Sequence, residues 1–201
     1  MIPYLTVEHV SAIADVGVAL AAAFAAWQGV KSLSAWRREK VGGRKMELAE
    51  EALVQFYQIE QAFNEIRSPI GDASEHADRG SETGESQIQK FNRDLGHTVW
   101  KRMTNHKDLF SEFYKTGLKL RALFGDEAYS SCLEIRKCFG EVRVGAQMLF
   151  RTPYEGYRDP IFQSKLEAFI WNMESEDSSS VEVRVRQSVL KAEKLLSPHL
   201  V

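Results

Sequence analysis

The sequence predicts an all-α protein: an N-terminal transmembrane helix followed by a cytoplasmic antiparallel helical bundle. Three observations predict it. One long apolar run lies near the N-terminus, basic residues crowd directly after it, and apolar positions then recur in alternating steps of three and four to the end of the chain. No segment carries a convincing βαβ or β-hairpin pattern. With 201 residues the chain holds one ordinary domain plus an appendage. Its 26 basic residues are offset by 28 acidic ones, a net charge of -2, so no excess of positive charge favours a phosphate backbone and no nucleic-acid partner is expected.

The apolar run is Ala12–Val30, whose only strongly polar members are Asp15 and Gln28. Nineteen residues just span a bilayer. Insertion is marginal, because Ile13, Val16, Val18, Leu20, Phe24 and Val30 each contribute only about -0.3 to -0.6 kcal/mol, while an Asp at mid-membrane costs about 3 kcal/mol. Tyr4, Trp27 and Trp36 suit the two interfaces, and Asp15 reads as an interfacial acid rather than a proton relay, since no second charge accompanies it in the run. Before the run stand only Glu8 and His9, unlike a signal peptide. After it come Lys31, Arg37, Arg38, Lys40, Arg44 and Lys45, which place the N-terminus outside and the remainder in the cytoplasm. Residues 1–31 are therefore the anchor, 32–43 a basic juxtamembrane linker and 44–201 the bundle. Within the anchor, Gly17, Ala21, Ala25 and Gly29 repeat every four residues, a stripe that lets helices approach closely in lipid and leads to the expectation of a homo-oligomer.

Gly42 and Gly43 predict a hinge. The next helix carries Ala52, Phe56, Ile59, Phe63 and Ile66 on one face and ends at Ser68, before Pro69. Residues 68–86, SPIGDASEHADRGSETGES, hold one large apolar residue, Ile70, and predict a mobile loop. A long helix follows through Val99, Met103, His106, Phe110, Phe113, Gly117, Leu120 and Phe124, stopping at Gly125. Asp126 is the expected N-cap of another, with Ala128, Cys132, Ile135, Phe139, Val142, Ala146 and Leu149 inward, and the two predict an antiparallel hairpin. A turn-rich stretch, RTPYEGYRDP, leads to a shorter helix with Phe162, Leu166, Phe169 and Met173 on one face. After a break at Ser175–Ser180, Val181, Val183 and Val185 alternate like a strand, but Val185, Val189, Ala192 and Leu196 fit a helix, which the surroundings favour. Cys132 and Cys138 diverge by about 120° on a helix, unsuited to a shared disulfide, and read as one core thiol and one bystander.

The stretch Trp36, Arg37, Arg38, Glu39, then Gly43, Arg44, Lys45, then Glu47, Leu48, Ala49, Glu50, Glu51, Leu53, Phe56, Tyr57, closing with Ile66, Arg67, Ser68 and Pro69, resembles a group of bacterial proteins that begin with one apolar helix and continue as helices. The resemblance is specific over residues 27–70 and looser beyond. It implies architecture and a bacterial inner-membrane setting, and no activity.

No chemistry-bearing constellation stands out. No Glu-x-x-His pair marks a metal site, and His9, His76, His97, His106 and His199 are scattered, so neither metal nor cofactor is expected. Gly42-Gly43 lacks the Lys-Ser or Lys-Thr of a phosphate loop. Glu47, Glu50 and Glu51 read as a solvated helix face. Arg102 and His106, four apart, are the only enzymatic candidates. Helical ribonucleases of the HEPN group carry an Arg and a His with four to six residues between them, but between Arg93 and His97, and between Arg102 and His106, only three residues intervene, so His106 reads as a histidine satisfied within a packed seam. The expectation is a membrane-tethered interaction protein, a sensor, scaffold or effector, acting on itself or on a cytoplasmic protein partner. Its rivals are a helical enzyme with an RNase-like site and a soluble homo-oligomer with its Ala-rich first helix buried.

Overall fold

The computed structural model describes residues 7–71, 73–80, 82–171 and 177–200, giving the backbone alone for 7–16, 73 and 76. Among these residues the chain is entirely helical: α1 Val7–Ile66, α2 Gln87–Asn105, α3 Lys107–Phe124, α4 Asp126–Phe150, α5 Pro160–Ile170 and α6 Val181–Leu196, with short 3-10 turns at Ala73–His76 and Ser197–His199. It divides into two compact units, Met1–Lys45 and Met46–Val201. Asp15, His9, Tyr4 and Met173, named above on sequence grounds, fall outside the described side chains.

The second unit is the bundle. Leu48, Ala49, Ala52, Leu53, Phe56, Ile59, Ala62, Phe63 and Ile66 form the buried stripe of α1 in this unit, about three to four residues per two turns, as a core-facing helix requires. Its ring contacts run to the α3–α4 pair: Phe56 meets Phe113 edge-on at 4.9 Å, Phe63 meets Phe110 at 5.6 Å, and Phe110 lies 4.1 Å from Phe139. Central among the later helices is α4, which touches α2, α3, α5 and α6. Small residues make those approaches close. A Cβ on Gly96 of α2 would sit 2.6 Å from the Ala146 carbonyl oxygen, and one on Gly117 of α3 would sit 3.1 Å from Cys132 Cβ. Gly117 and Cys132 flank Gly125 almost symmetrically, as partners in an antiparallel hairpin must. Gly125 itself closes the turn with φ 85°, a conformation other residues avoid.

Several sequence expectations are corrected here. The predicted long helix through His106 breaks there into α2 and α3, with His106 at φ −97°, ψ 6°. The apolar stripe keeps its phase across the break, since Met103 and Phe110 are seven residues apart, so periodicity does not register it. The N-cap of α4 is Gly125; Asp126 lies in the first turn and its carboxylate accepts from Arg121 Nε at 2.7 Å. Both cysteines are buried, so Cys138 is no bystander. The helix favoured for the alternating valines is observed as α6, where Ser180 caps the first turn by accepting from Val183 N and Val181, Val185, Val189, Ala192 and Leu196 face inward.

In the first unit α1 continues as helix through Gly42 and Gly43, and nothing lies within 4 Å of a Cβ built on either. Residues 32–43 are helical. From Gly17 to Arg44 every residue is exposed, and Val18, Leu20, Phe24, Trp27, Val30, Leu33 and Trp36 show between 48% and 70% of their surface. No helix among the described residues is long and apolar enough to cross a membrane. Alanine and glycine, weakly apolar, dominate the stretch after Gly17, and Ala12–Val16 of the predicted span lie outside the described side chains.

Candidate functional site

The residues singled out as enzymatic candidates meet at the C-terminal end of α1. That end exposes carbonyls with no helical partner. Arg102 of α2 takes one of them and two carbonyls just beyond the helix: Nη1 donates to the Glu65 carbonyl at 3.2 Å and the Ser68 carbonyl at 2.8 Å, and Nη2 to the Ile70 carbonyl at 3.0 Å. Nε and Nη2 also grip the Glu75 carboxylate at 2.9 and 2.6 Å. Five hydrogen bonds occupy the whole donor fork of a guanidinium. His106 lies beside it, Nε2 3.1 Å from Glu65 Oε2, on the rim of a cleft of about 630 Å³ shared with Gln61, Asn64 and Asn105. It is a partly exposed rim residue, not a core histidine. The structure thus brings Arg102 and His106 together, with the arginine engaged in holding chain ends.

The segment predicted to be a mobile loop is tied down by the same helix. Arg79, 6% exposed, pairs through both Nη atoms with Glu85, 5% exposed, at 2.9 and 3.0 Å, and donates through Nε to Asp94. Arg93 binds Glu82 and Glu85, each at 2.7 Å, while Asp78 accepts from Lys101 at 3.1 Å and lies 3.1 Å from His97 Nε2. Its carboxyl is lowered mainly by Lys101, then by His97. The polar composition that argues for mobility supplies carboxylates at 75, 78, 82 and 85, and these meet the basic face Arg93, His97, Lys101 and Arg102 of α2. Arg93, His97 and Lys101 recur every four residues, with Arg102 adjacent to the last, and that spacing is the signal in the sequence.

Arg79 first, and Arg93 second, hold the Glu85 carboxyl down from 4.5 to about 2. Since the folded value lies below the unfolded one, its contribution is fully present above pH 4.5 and fades as pH falls toward 2. Amide exchange around Arg79, corrected for intrinsic rate, is expected to accelerate across that window, and in Glu85→Gln to be fast at every pH. A flat profile contradicts the clasp.

A groove missed on sequence lies between α2 and α4, about 760 Å³, with Gly96, Trp100, Ala146 and Phe150 as its apolar lining and Arg93, His97, Gln147 and Arg151 around it. Gly96, isolated within a helix, was its one sequence signal. The thiols are inert: burial pushes Cys132 up to about 12 and Cys138 up to about 11. No group of three His, Cys, Asp or Glu able to hold a metal occurs among the described residues.

In the first unit, the stripe residues Gly17, Ala21, Ala25 and Gly29 are exposed on α1, and a Cβ on Gly17 or Gly29 meets nothing within 4 Å. Lys31, Arg37, Arg38, Lys40 and Arg44 are exposed and Lys45 is half-buried. Glu47, Glu50 and Glu51 are exposed too, with Glu51 accepting from Thr116 and Lys119 at 3.2 Å. No family model matches the chain, and comparison with curated proteins and with solved structures yields no match.

Proposed function

We propose that the chain is a membrane-tethered helical protein that works by association, its α1 anchored in a bacterial inner membrane with the N-terminus outside and the bundle in the cytoplasm. One observation carries this reading: seven large apolar side chains between Val18 and Trp36 are 48% to 70% exposed. A helix apolar on every side needs either lipid or protein around it. In the sequence the apolar run begins at Ala12 and includes Ile13 and Val16, with Asp15 between them. The basic residues from Lys31 onward support the orientation. Within lipid, the open stripe of Gly17, Ala21, Ala25 and Gly29 offers the surface for a homo-oligomer, and the bundle suits a sensor, scaffold or effector that meets a cytoplasmic protein.

Alkaline carbonate and high salt test this. The full chain is expected to stay with the membrane pellet under both and to be released by detergent. Release by carbonate, or recovery as a detergent-free oligomer, transfers the apolar helix to a soluble assembly.

A further inference from the structure

The exposed basic stretch of α1 has its own recognition chemistry. Between Lys31 and Lys45 stand six basic residues and one acid, Glu39. At 100° per residue, Arg37, Lys40 and Arg44 fall within about 60° of one another, and Lys31, Arg38 and Lys45 within about 40°. The two rows together cover about half the helix circumference, with Glu39 on the opposite side. Arg37 to Arg44 rises about 10 Å along the axis, more than the roughly 5 to 7 Å of a phospholipid headgroup layer, so the long side chains reach back along the helix to meet it.

Neighbouring contacts set this stretch at the interface between an apolar and an aqueous zone. Lys31 Nζ lies over the Trp27 ring at 5.2 Å and Lys40 Nζ over the Trp36 ring at 5.8 Å, each lysine one turn beyond its tryptophan. Arg38 Nε donates to the Ser34 carbonyl at 3.3 Å. An aromatic ring at headgroup level with a cation just beyond it is the arrangement that amphipathic side chains adopt at a membrane surface. The face opposite the basic arc holds Ser32, Ala35, Glu39 and Gly43, too polar for a helix lying flat with its back in lipid. The geometry therefore suits a helix that crosses the headgroup layer and presents its basic half to phosphates.

We propose that Arg37, Arg38, Lys40 and Arg44 bind the headgroups of anionic phospholipids, selecting them from the zwitterionic background around the anchor. This rests on the membrane reading above. Charge complementarity identifies the occupant: the arc offers three guanidinium forks and further point charges to a layer of phosphate monoanions.

The test uses the full chain reconstituted into vesicles of phosphatidylcholine with a minority of phosphatidylglycerol. It is re-extracted in mild detergent, and the co-purifying lipid ratio is measured. Phosphatidylglycerol is expected to be enriched about two- to fivefold over the vesicle. The variant carrying Arg37→Gln, Arg38→Gln, Lys40→Gln and Arg44→Gln is expected to fall to the vesicle ratio while remaining carbonate-resistant. No enrichment in the original chain, or equal enrichment in the variant, overturns the lipid site alone. A chain that does not float with the vesicles overturns the anchor and the lipid site together. Capture of an RNA oligonucleotide that the variant loses, with lipid at the bulk ratio, overturns the lipid site in favour of nucleic acid.

Discussion

Phe113→Ala is expected to lower the unfolding free energy by about 3 to 5 kcal/mol, the usual cost of truncating a fully buried aromatic ring. Phe113 is 1% exposed and meets Phe56 edge-on at 4.9 Å. Truncation removes the transfer energy of the ring and leaves a void that Phe56 and Tyr114, whose ring lies 6.1 Å from Phe113, are too constrained to fill. For a chain of this size the loss corresponds to roughly 6 to 20 °C in melting temperature. Thermal unfolding followed by circular dichroism measures it. A shift below about 2 °C contradicts the assigned packing.

Arg102→Ala is expected to cost about 3 kcal/mol, because it strips one carboxylate and three carbonyls of their shared donor at once. Arg102→Lys should restore only part, since an ammonium cannot span the Glu75 carboxylate and the helix end together. His106→Ala, whose Glu65 partner is half-exposed, should stay within about 1 kcal/mol. Urea unfolding of the three variants checks the order. The contrast also separates a clasp from an enzyme: an RNase-like pair would lose activity on His106→Ala with stability intact, and would lose it equally on Arg102→Ala.

The buried face was legible in α1, α3, α4 and α6, because apolar spacing reports which side of a helix meets the core, whereas α5 buries Ile170 beside the expected Leu166. Phe56, Phe113, Ile135, Val142 and Val189 all lie where three-four periodicity puts them. Breaks that preserve phase were not legible, as at His106. Two adjacent glycines weaken a helix, yet α1 continues through Gly42 and Gly43. The clasp at Arg79 was misread because composition speaks of a segment's ability to bury apolar surface and not of charge partners distant in sequence. Arg79 and Asp94 are fifteen residues apart, and their pairing exists only once α2 has turned its basic face to the segment.

The anchor is tested most directly by single cysteines placed at Val18, Leu20 or Phe24 and probed with a membrane-impermeant maleimide. The background is silent, since Cys132 and Cys138 are buried and their thiols raised to about 12 and 11. Leu118→Cys, on an exposed position of α3, supplies the labelled reference. With the full chain in sealed vesicles, the three anchor positions are expected to resist reagent supplied from either side while Leu118→Cys reacts from one side only. Labelling of Val18→Cys, Leu20→Cys and Phe24→Cys at the rate of the reference contradicts a membrane-embedded α1.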